Sequence, residues 1–82
     1  MNNTLNEFRA GVIAERQFAR TALATRFTLA QWHARCEHLA DNIETFAELR
    51  DEPQVPRTYG RLAVALNILE ALDSPADSDR KA

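Results

Sequence analysis

His33, Cys36, Glu37 and His38 are the residues whose types could most readily do chemistry, because imidazole, thiolate and carboxylate are the ligands that transition metals select. Their spacing works against it. A helix turns about 100° per residue, so His38 points nearly opposite Cys36, and only His33 with Cys36 or Glu37 can converge. Two ligands fall short of the four that a structural zinc requires, so neither a metal nor any other cofactor is expected. Cys36 then reads as a small buried apolar side chain with the histidines on the helix flanks, and as the single cysteine it excludes an intramolecular disulfide.

Charge patterning offers more. Glu37, Asp41, Glu44, Glu48 and Asp51 follow one another at steps of four, three, four and three, which places five carboxylates on one helical stripe. Like charges so spaced repel by about 0.3 kcal/mol per pair unless compensated. Either the row Arg9, Arg16 and Arg20 or plain solvation compensates them, or the stripe is a docking face for a basic partner surface, including imitation of a nucleic-acid backbone. The same arginines, with Arg26, could instead meet phosphates from a dimer face. Glu15 lies within the apolar arc between Val12 and Ala19, where an ionised carboxylate needs a partner. Arg35 or Arg50 could supply one; a bend of that face toward solvent, or a functional acid with a raised pKa, are the other readings.

Leu5-Asn6-Glu7-Phe8-Arg9-Ala10, with Leu23, Arg26 and Phe27 further on, resembles the first helix of the all-helical chorismate mutases over about a quarter to a third of the chain. That resemblance would imply an enzyme whose two arginines hold a dicarboxylate. The sequence departs from the family pattern where a lysine and an acidic and arginine cluster should follow, having Glu37 and a proline-broken segment instead. There is also no GxGxxG, P-loop, HExxH, CxxC or serine on a glycine elbow. No enzyme is expected. A helix-turn-helix is disfavoured as well, since the turn near residues 25–28 lacks glycine and the helix after it is acidic.

These residues must be positioned by helices. Thr4 and Glu7 have capping-box spacing, and the apolar period of Leu5, Phe8, Val12, Ala19, Ala22 and Leu23 predicts a first helix over about 5–25. Thr28 and Gln31 repeat the box, with Phe27 and Trp32 placed as a hydrophobic staple. The seam Leu29, Trp32, Cys36, Leu39, Ile43, Phe46 predicts a second helix over about 29–51. Pro53 and Pro56 predict a linker, and Thr58 can cap a third, very apolar helix over about 58–73. Its apolar arc exceeds the single stripe a surface helix needs, which marks Val64, Ile68 and Leu72 as a surplus edge for an oligomer or partner interface. Residues 1–74 form one domain, and the small polar stretch 75–82 is expected to be a disordered tail.

The expected fold is therefore all-α: two long antiparallel helices and a shorter apolar third, as a three-helix monomer or half of a dimeric bundle. Eighty-two residues with 45% hydrophobic content bury a small core, so self-association would add stability, and a homodimer is expected. The net charge of -2 is too slight to point to nucleic acid or an anionic membrane, yet residues 1–27 sum to +2 and residues 28–54 to -4. No apolar run approaches the about 18 residues of a membrane span or forms a signal peptide, so a cytoplasmic setting is expected. Nine of the ten basic residues are arginine, compatible with a GC-rich bacterial or phage gene, and a phage or plasmid origin fits the same pattern. Together these features suggest a small adaptor, inhibitor or regulator that binds a protein partner through the acidic flank, the apolar face or both. The alternative is a dimeric helical nucleic-acid-binding regulator using Arg9, Arg16, Arg20 and Arg26.

Overall fold

The computed structural model describes residues 3–73. They form four α-helices, α1 (Thr4–Ala19), α2 (Ala22–Thr25), α3 (Leu29–Glu48) and α4 (Gln54–Asp73), and no strand among the described residues. The domain is all-α with three main helices, and α2 is a single turn in the connection between α1 and α3. The tail expected over 75–82 lies outside the described residues.

The first helix stops six residues earlier than its apolar period predicts, ending at Ala19 instead of Thr25. Thr21 adopts an extended backbone (φ -68°, ψ 153°), and its Oγ1 accepts from the Ala24 amide at 3.2 Å, so it caps a new turn in place of continuing the old one. Hydroxyl side chains that can bond nearby amides compete in this way with helix interiors. The second capping box is present as expected: Gln31 Oε1 accepts from the Thr28 amide at 2.8 Å, and Thr28 Oγ1 accepts from the Gln31 amide at 3.2 Å. Its staple closes too, with the Phe27 and Trp32 ring centroids 5.2 Å apart. The first box does not form. Asn3 is the N-cap of α1, without a side-chain cap bond, and Glu7 is drawn instead to Arg57 on α4.

α3 ends in a Schellman turn and not at Asp51. The Asp51 amide donates to the Phe46 carbonyl at 2.9 Å and the Arg50 amide to Ala47 at 3.1 Å, with Arg50 left-handed at φ 58°. The proline segment, expected to be a linker, opens α4, which begins at Gln54 and not near Thr58. Pro56 sits in the first turn, where amides have no intrahelical acceptor and a missing donor costs nothing. Thr58, the expected cap, is buried inside the helix. α4 consequently has 20 residues, as many as α3 and more than the 16 of α1.

This added turn matters for packing. α4 packs against both α1 and α3, while α1 and α3 make no close backbone contact among the described residues. The pairs Glu7 with Arg57 and Glu15 with Arg61 rise together in number, so α1 and α4 run in the same sense and α3 opposes both. Two glycines set the α1–α4 distance. A Cβ on Gly11 would stand 1.8 Å from the Arg57 carbonyl oxygen, and one on Gly60 2.1 Å from that of Phe8. Away from this crossing the core is Trp32, Cys36 and Leu39 of α3 with Ala24 and Ala65, and Phe18, Phe27, Leu62, Ile68 and Leu69 packed around them.

Gly60→Ala is therefore expected to destabilise the domain by about 2 kcal/mol or more in urea unfolding, because both clashing atoms are backbone and neither can rotate away. Arg50→Gly is expected to stabilise it by about 1 kcal/mol on the same measurement, since glycine carries no penalty for the left-handed conformation.

Candidate functional site

The interior charge is organised around Glu15. Its side chain has no exposed surface. Arg35 of α3 grips it as a fork, Nε on Oε2 and Nη2 on Oε1 at 2.8 Å, and Arg61 of α4 adds Nη1 on Oε1 at 3.1 Å. A planar guanidinium presents its donors in the geometry a carboxylate accepts, which is why arginine suits a buried pair of this kind. Of the two partners foreseen for Glu15, Arg35 is the one found; Arg50 lies in the turn after α3, and Arg61 was missed. A second pair lies two turns earlier on α1, with Arg57 Nη2 2.6 Å from Glu7 Oε1. Along α1 the sequence Glu7, Gly11, Glu15 places acid, gap and acid at four-residue steps, and α4 answers with Arg57, Gly60 and Arg61. No buried side-chain nitrogen or oxygen among the described residues lacks a hydrogen-bond partner.

Arg35 does a second job. Its guanidinium carbon lies 3.7 Å from the centroid of the Phe18 ring, a cation–π contact that adds to the hydrogen bonds holding it. Phe18, Phe27 and Trp32 meet edge to face in all three pairings, with centroids 5.2 to 6.2 Å apart. Cys36 is buried beside them. Burial pushes its thiol pKa up, the Glu15 carboxylate pushes the same way and Arg35 opposes both, so the sulfur is held as the protonated form, a poor nucleophile and a poor ligand. His33 and His38 stand exposed on the helix flanks, His38 within 3.3 Å of Asn42 Nδ2.

The acidic stripe is an outer face. Glu37, Asp41, Glu44 and Glu48 are exposed on the side of α3 away from buried Trp32, Cys36 and Leu39; Asp51, expected as the fifth member of the stripe, is exposed but leaves it, because α3 ends at Glu48 and Asp51 lies in the turn that follows. Among the described residues only Glu37 has a basic side chain within reach, His33 Nδ1 at 3.8 Å, and no arginine of α1 pairs with the row. Arg9, Arg16 and Arg20 are likewise exposed and form no ion pair among the described residues. Arg26, expected to extend their row, lies beyond the break at Thr21 as the C-cap of α2, and so leaves it. The surplus edge of α4 divides: Ile68 packs against the core, Val64 is half-buried and Leu72 is exposed. Exposed apolar surface is found instead at Tyr59 and Leu66 on another side of α4. Tyr59 borders an open groove of about 600 Å³ lined also by Ala47, Val55, Pro56 and the polar turn Arg50 to Glu52.

Comparison with protein-family models, with curated proteins and with solved structures finds no match for this chain. Among the described residues no helix is long and apolar enough to cross a membrane.

Arg57, Arg61, Gly11 and Gly60 were missed in the sequence. The signal for them was the pair of glycines inside helical patterns, where each costs about 1 kcal/mol relative to alanine and therefore implies close approach by another backbone. Glu15→Gln removes the negative charge that holds Arg35 and Arg61 together and is expected to destabilise the domain by about 3 kcal/mol in urea unfolding, whereas Glu44→Gln on the outer face should change it by less than about 0.5 kcal/mol.

Proposed function

We propose that this chain is a non-catalytic protein-binding module, a small cytoplasmic adaptor, inhibitor or regulator, that docks a basic partner through the outer face of α3. The observation that carries this reading is the row Glu37, Asp41, Glu44 and Glu48, exposed on one face and paired with no arginine among the described residues. A row of like charges raises the energy of the isolated helix by about 0.3 kcal/mol per neighbouring pair and is relieved when a surface of opposite sign covers it. The fully buried carboxylate, Glu15, is engaged by two arginines. The exposed apolar side chains Tyr59 and Leu66 of α4 provide a second surface on which a partner could gain contact area.

The nucleic-acid reading keeps one favourable observation, the unpaired row Arg9, Arg16 and Arg20. It retains three cations and not four, because Arg26 is off the row. Binding to structured RNA at low salt that weakens on Arg16→Ala would favour it.

The docking reading is tested with a synthetic helical peptide carrying arginines at seven- and four-residue steps on one face. The domain is expected to bind it in fluorescence anisotropy, and Glu44→Lys with Glu48→Lys is expected to abolish binding while the circular dichroism of the helices is unchanged. Binding that survives both charge reversals would contradict the reading.

A further inference from the structure

We propose that the basic partner is a second copy of this chain, whose α1 arginine row seats on the α3 acidic row; this rests on the docking reading above and names its occupant. The argument is one of matched spacing. Arg9, Arg16 and Arg20 are separated by steps of seven and four, and Glu48, Asp41 and Glu37, read in the opposite direction, are separated by the same steps of seven and four. Each row covers eleven residue steps, along α1 and its C-cap Arg20 and along α3, about 16 Å at about 1.5 Å of rise per residue. With the helices antiparallel, Arg9 meets Glu48, Arg16 meets Asp41 and Arg20 meets Glu37. With the helices parallel, Glu37, Glu44 and Glu48 supply the same steps, so three ion pairs form in either direction.

Within one chain the rows cannot meet. α1 and α3 turn their inner sides toward α4 and make no close backbone contact with each other, and both charged rows lie on the exposed sides. Among the described residues all three arginines are without an ion pair, as are three of the four carboxylates. The shapes agree with the charges. Ile13 and Leu5 stand exposed among the arginines of α1, and exposed Ala30, Ala34 and Ala40 flank the acidic row of α3, small enough for another helix to come close. Single exposed ion pairs contribute little, but opposed rows relieve repulsion on both helices at once and fix the register of the contact.

The test uses two charge-reversed full-length chains and light scattering across a concentration series. Arg16→Glu with Arg20→Glu makes both faces acidic, and Asp41→Arg with Glu44→Arg cancels the negative charge of the α3 face while α1 stays basic. The unaltered chain is expected to self-associate at about 20 mM salt and to dissociate at about 500 mM, where screening shortens to a few ångströms. Each variant alone is expected to weaken self-association roughly a hundredfold or more, with helical circular dichroism retained, and an equimolar mixture of the two is expected to restore it. An unaltered chain that is monomeric at low salt, or a mixture that stays monomeric while both variants are folded, overturns the proposal. The arginine peptide separates the two failures: a monomer that still binds the peptide through Glu44 and Glu48 overturns self-docking alone, and a monomer that does not bind it overturns the docking reading as well.

Discussion

A carboxylate with no exposed surface, shared between arginines on two other helices, is the interaction on which this small domain turns. Taking an ion out of water costs several kcal/mol, and an ionised Glu15 is tolerated at the centre only because a bidentate fork and a third donor replace the water it loses. Arg35 and Arg61 reach it from α3 and α4, so one side chain of α1 ties together three helices, two of which do not otherwise touch backbone to backbone. The aromatic trio covers the same end. Phe18 lies under the Arg35 guanidinium, and Phe27 and Trp32 close the turn between α1 and α3.

The reach of those arginines depends in turn on how closely α1 and α4 approach. Gly11 and Gly60 let the backbones come within a distance that any Cβ would forbid, and this brings Arg57 and Arg61 beside Glu7 and Glu15. The length of α4 has the same effect: because Pro53 and Pro56 precede and enter its first turn without ending it, Arg57 falls inside the helix and close to α1. Charge is thereby sorted. The arginines of α3 and α4 near the centre are engaged, and one basic row on α1 and one acidic row on α3 face outward without an ion pair to each other among the described residues. Among the described residues the interior is saturated in hydrogen bonds, and two outer faces carry unpaired charge.

Local signals were the most legible part of the sequence. The Thr28 and Gln31 box with the Phe27 and Trp32 staple is found as its spacing implied, because cap and staple are made within one turn and need nothing from the rest of the fold. The seam of Trp32, Cys36 and Leu39 is buried for the same reason: its period alone defines a face. What failed depended on tertiary partners. Glu7 has the spacing of a cap residue, but an arginine from α4 competes for it; the period of α1 runs past Ala19, but Thr21 offers the chain a fresh cap; and Pro56 looks like a breaker until it falls in a first turn. Glu15 was recognisable as a misplaced charge, and Arg35 as one candidate partner, while Arg61 could not be chosen without knowing that α4 lies against α1.

The measurement that tests this account most directly is the exchange of arginine side-chain Nε–H protons with water, followed by nuclear magnetic resonance at neutral pH. The Arg35 signal should be strongly protected and should show coupling to the Glu15 carboxyl carbon, while Arg9, Arg16 and Arg20 exchange at the rate of free arginine at protein concentrations low enough for the chain to be monomeric. An Arg35 proton exchanging as fast as those of the α1 row would mean that Glu15 is not held in the interior by that fork, and the central claim would fail.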